Sequence, residues 1–82
     1  MSYYEKLVCE FENWLKFNDL SVTAQLLWYK LAYLCYKNDW NDFVISNIKL
    51  IPLLGVNAEH TLYKSRDELV KNNLIKYNKG LR

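Results

Sequence analysis

The apolar patterning predicts a mainly α domain carrying a small β-sheet, and three observations lead there. Apolar residues recur at helical spacing over most of the 82 residues. Two short runs, residues 43–46 (FVIS) and 74–77 (LIKY), are rich in β-branched and aromatic residues and have turn residues nearby, as strands do. Between two of the helical patterns stands Gly55, a residue suited to the left-handed backbone of a tight turn.

The first helix is predicted over residues 3–17, where Tyr3, Leu7, Phe11, Trp14 and Leu15 form an apolar stripe widened by Tyr4 and Val8. A stripe that wide can touch the domain body and a second subunit at once. FNDLS breaks the pattern, and Ser21 or Thr23 can cap a second helix, Val22–Lys37, with Gln25 as a capping-box partner. Ala24, Leu27, Trp28, Leu31, Leu34 and Cys35 form one face of it. Leu26, Tyr29, Ala32, Tyr33 and Tyr36 cover much of the rest, which predicts a central buried helix. KNDWND is a polar turn, and the first strand follows at 43–46. Asn47 can cap a third helix with Ile48, Leu50, Ile51, Leu53 and Leu54, bent by Pro52 and ended by Gly55. Asn57 can cap a fourth, and Glu59 suits its positive end. Its buried side is read as Ala58, Leu62, Ser65, Leu69 and Val70, and Asn73 can close it in a left-handed cap. The second strand, 74–77, leads into the turn NKG, and a strand entering a turn at the end of the chain predicts a piece of a longer protein.

Length and composition fit one domain with a dense core: 51% of the residues are hydrophobic and 16% aromatic. Three Trp and seven Tyr are more aromatic surface than a small core readily hides. Either some of it meets a partner, or tyrosine hydroxyls reach water from an aromatic core. The net charge of +2 does not by itself indicate nucleic acid, but its distribution is uneven. Residues 1–56 hold five lysines against six acids, whereas residues 57–82 hold six basic residues against three acids. Cys9 and Cys35 are far apart and on apolar faces, which favours buried free thiols over a disulfide. No signal peptide or membrane-length apolar run is visible, so a cytoplasmic chain without membrane contact is expected.

Helix, helix, strand, helix, glycine turn, helix, strand, turn is the order of a winged helix-turn-helix with an extra N-terminal helix. One domain then spans residues 1–82: the extra helix over 1–17, the helix-turn-helix over 47–72 and the start of a wing over 74–82. The stretches SVTAQLLWYKLAYL, Trp40, DFVIS and LLGVNAEHTLYKSRDELVKNNLIKY resemble the N-terminal domain of DnaD-like replication proteins, which include phage replisome organisers of Gram-positive bacteria. The resemblance runs over roughly residues 14–80. It implies a bacterial protein, phage- or mobile-element-encoded in some members, that acts in replication initiation and primosome assembly. It implies binding to duplex or single-stranded DNA, self-association, and contact with the replicative helicase or its loader. Asn73 where glycine is usual and Pro52 inside the third helix depart from the family pattern. The family's separate C-terminal domain is not among these residues.

Three sites follow. In a helix-turn-helix the second helix meets base edges, which points to Asn57, His60, Thr61 and Lys64, with Lys71 further along. Asp67 and Glu68 would repel phosphate there, and a solvated mixed-charge face is the plainer alternative. The wing offers Lys76, Lys79 and Arg82 to phosphate, against a basic tail with no ligand. The first helix offers Tyr3, Tyr4, Val8, Phe11 and Leu15 for self-association, against simple burial. If that surface dominates, the chain is an oligomerisation or protein-docking module, with DNA bound elsewhere. Enzymatic readings fail for want of parts. His60 is the one histidine and has no spaced nucleophile; two distant cysteines and one histidine make no metal site; two glycines make no phosphate loop. No cofactor is expected.

Overall fold

The computed structural model describes residues 2–55 and 59–77. It holds four helices, α1 (Tyr3–Leu15), α2 (Val22–Lys37), α3 (Asn47–Leu53) and α4 (Glu59–Lys71). The predicted β-sheet is absent: no strand occurs among the described residues, so the winged helix is not formed in them. Strand propensity is realised only by lateral hydrogen bonding, and neither 43–46 nor 74–77 has a neighbour to bond with. The first run packs Ile45 onto the core as a connector; the second packs Leu74 and Ile75 there. The turn NKG and the wing positions Lys79 and Arg82 lie outside the described residues.

Local sequence sets each helix end. Ser2 and Glu5 close a reciprocal capping box on α1, a signal the apolar stripe alone does not reveal. Ser21 caps α2 by accepting from the Ala24 N–H at 3.2 Å. Gln25 does not complete a box; its Nε2 donates to the Leu20 carbonyl. α3 starts one residue earlier than predicted, with Ser46 at the cap position and Asn47 inside. Pro52 is tolerated because its missing N–H affects one bond near the end, and Gly55 (φ 68°) then turns the chain. Two helices end in left-handed caps without glycine. Asp39 (φ 53°) follows α2, whose Cys35 carbonyl accepts from Trp40 N–H at 2.8 Å. Asn73 (φ 57°) follows α4, whose Leu69 carbonyl accepts from Leu74 N–H at 2.9 Å.

α4 packs against both α2 and α3. Their shared core is Ala24, Leu27, Trp28, Ala32, Leu50, Leu54, Leu62 and Leu69, and α1 adds Phe11. Phe11 stacks on Trp28 at 3.8 Å, and Tyr29 meets it edge-on at 5.5 Å. Burying a leucine as fully as Leu27, Leu62 and Leu69 are buried stabilises by about 1.5–3 kcal/mol each. α2 is less enclosed than predicted, because Tyr33 and Tyr36 stay exposed. The cysteines are free, but Cys9 is exposed and not buried, and Cys35 is half-buried. Burial, then the nearby Asp42 carboxylate, raise the Cys35 thiol above its ordinary value, so it is no activated thiolate.

Candidate nucleic-acid interface

α3, the turn at Gly55 and α4 stand in the order of a helix-turn-helix, so the α4 surface turned away from α2 and α3 is the candidate interface. The 3.6-residue repeat divides α4 into two sides. Leu62, Ser65 and Leu69 face inward, and His60, Lys64, Asp67 and Lys71 form an exposed stripe. Val70, predicted inside, is exposed instead. Arg66 takes the inward place and is only 8% exposed.

Arg66 is held by aromatic faces and one amide. Its guanidinium lies 3.9 Å from the Tyr77 ring centroid and 5.2 Å from that of Tyr63. Its Nη1 donates to Asn47 Oδ1 at 3.0 Å. Asn47 Nδ2 donates in turn to the Tyr63 hydroxyl at 3.2 Å, and that hydroxyl donates to Glu59 Oε1 at 2.5 Å. The Glu59 bond raises the Tyr63 hydroxyl above its ordinary value, because ionisation would place two anions together. Arg66 thus joins α4 to α3 and to the segment after α4. Its inward position, though not its partners, follows from periodicity, since it lies four residues after Leu62 and three before Leu69 on one stripe.

Glu68 is turned inward as well. Its Oε1 accepts from Ser21 N–H at 2.8 Å and its Oε2 from Ser21 Oγ at 2.7 Å, so it completes the α2 cap from another helix. These two bonds, the hydroxyl first, hold its carboxyl below the ordinary value of 4.5. With a depressed native value, Glu68 stabilises fully above pH 4.5, and that contribution drains away as pH falls through the native value. Wild type is therefore expected to lose more stability between about pH 5 and pH 3 than Glu68→Gln. Parallel curves in urea melts at both pH values would remove Glu68 from this role.

His60 and Lys64 are exposed one turn apart, and Thr61 is half-buried beside them. With Ser21, Thr23, Ser65 and Glu68 they border a groove of about 270 Å³ between α4 and the start of α2. Lys71 is exposed at the far end of α4, and Lys76 is exposed beyond it. Asn57 lies outside the described residues.

The self-association residues divide. Phe11, at 3% exposure, belongs to the core and offers nothing to a partner. Val8 and Leu15 are half-buried, and Tyr4 stacks on Tyr36 at 5.0 Å. Tyr3 is 59% exposed and meets Trp40 edge-on at 4.7 Å. Tyr33 and Tyr36 of α2 and Trp40 after it extend this aromatic end beyond α1. Among the described residues no group of three or more His, Cys, Asp or Glu could hold a metal ion, and no helix is long and apolar enough to cross a membrane. Comparison with protein-family models, curated proteins and solved structures found no match to this chain.

Proposed function

We propose that the chain binds DNA through the outward stripe of α4, as the DNA-contacting domain of a replication-initiation protein of the replisome-organiser kind. The observation that carries this reading is the fate of the acids on α4. Glu68 is bonded inward to Ser21, and Glu59, although exposed, lies to one side of the stripe bonded to Tyr63, while His60, Lys64 and Lys71 are exposed on the stripe. Asp67 stays on the stripe, so base contacts are confined to the first two turns, and Lys71 reaches phosphate beyond them. Lysines on such a face meet phosphates, and His60 and Thr61 can donate to or accept from base edges. A salt titration with duplex DNA tests the reading. Affinity is expected to fall linearly in log salt with a slope of about −2 to −4. Absence of binding at low salt would refute it.

A second reading, self-association with DNA bound elsewhere, is favoured by the exposed aromatic end at Tyr3, Tyr33, Tyr36 and Trp40. In that case Tyr3→Ser with Tyr33→Ser is expected to abolish the oligomer seen by light scattering.

A further inference from the structure

Residues 41–46 complete the link from α2 to α3, and backbone groups in the middle of this segment have no partner among the described residues. No backbone hydrogen bond joins Phe43, Val44 or Ile45 to another described residue. Exposure alternates with the period of extended backbone: Phe43 is half-buried, Val44 is 98% exposed, Ile45 is half-buried and Ser46 is exposed. The ends are committed within the chain. Asn38 Nδ2 donates to the Asp42 carbonyl at 3.2 Å, and the Ser46 carbonyl accepts from the N–H groups of Lys49 and Leu50 at 3.1 Å. In extended backbone, alternate residues direct their N–H and C=O to the same edge. The edge of Asp42 and Ser46 is thus engaged at both ends, and Phe43 and Ile45 offer the opposite one.

We propose that this edge pairs with the same edge of a second copy, antiparallel, across a two-fold axis at Val44. That register satisfies three requirements together. Phe43 and Ile45 of the two copies exchange N–H···O=C bonds, while the two Val44 residues form the close, non-hydrogen-bonded pair between them. Phe43 and Ile45 line an open groove of about 400 Å³ with Leu34, Lys37 and Lys49, and pairing sets Ile45 of the second copy beside Phe43 on that face. Charge is self-complementary too. Lys37, Asp39 and Asp42 stand at the start of the segment, a net single negative charge, and Lys49 follows it, so an antiparallel pair brings each acidic end to the other's basic end. An exposed edge of this kind is a ready template for strand addition. The inference is independent of the DNA reading and uses a surface different from the aromatic end.

Val44→Cys in a Cys9→Ser background tests the register under mild oxidation. A covalent dimer is expected, much faster than with Ser46→Cys, which would face position 42. For the untreated wild type, light scattering is expected to give two chains at roughly 500 µM, the weak affinity suited to a small interface. Val44→Asp, which places like charges opposite each other without disturbing the core, is expected to give one chain with an unchanged melting curve. Three outcomes overturn the proposal: a wild-type monomer at that concentration, equal cross-linking at 44 and 46, or a dimer that Val44→Asp spares and Tyr3→Ser with Tyr33→Ser abolishes. Slow amide exchange at Phe43 and Ile45 that is independent of concentration would also overturn it, because the chain itself would then cover the edge.

Discussion

Leu62→Ala is expected to destabilise the domain by about 3 kcal/mol, and with it the whole arrangement of α4. Leu62 is fully buried where α4 packs against α2 and α3, so truncation loses the transfer energy of the removed carbons and leaves a cavity. A domain this small has a total stability of roughly 4–12 kcal/mol, so the loss is a large fraction of it. The melting temperature is expected to drop by about 12–24 °C. Val70→Ala is the matched control, because Val70 is exposed on the same helix and its truncation is expected to change stability by less than about 0.5 kcal/mol. Thermal and urea melts followed by circular dichroism check both. Similar losses in the two variants would contradict the orientation of α4.

The double variant Lys64→Ala with Lys71→Ala is expected to keep the wild-type melting curve and lose about a hundredfold in duplex affinity near 0.1 M salt. The magnitude follows from counterion release. One phosphate contact contributes about 0.9 log units per decade of salt, or about tenfold at 0.1 M. Both side chains are exposed on one stripe, so the core is untouched. The salt slope is expected to become shallower by about 2. Asp67→Asn is expected to strengthen binding, since it removes the acid on the same stripe. A double variant with unchanged affinity and slope would place the phosphate contacts elsewhere.

The helices were legible in the sequence because their signals are local. Apolar spacing and the cap at Ser21 give α2 its bounds, Gly55 ends α3, and Asn73 closes α4 in a left-handed cap. The strands were misread for the opposite reason. FVIS and LIKY have strand composition, but a strand is a relation between two segments, and no described segment pairs with either by a ladder of backbone hydrogen bonds. The candidate site was legible in part. His60, Lys64 and Lys71 follow from the helical repeat, as did the exposure of Asp67. The inward turn of Glu68 did not, since Ser21 lies 47 residues away in sequence and only the packing of α4 on α2 joins them. Arg66 was missed although periodicity placed it inside, because a guanidinium enters a core only with partners. Asn47 and the Tyr63 and Tyr77 rings are distributed over three segments.

Backbone amide shifts during titration with a duplex report whether DNA lies on the outward stripe of α4. The largest shifts are expected at His60, Thr61 and Lys64, smaller ones at Lys71, and none at Tyr33, Tyr36 or Trp40. Shifts confined to the aromatic end of α1 and α2, with α4 silent, would contradict that placement.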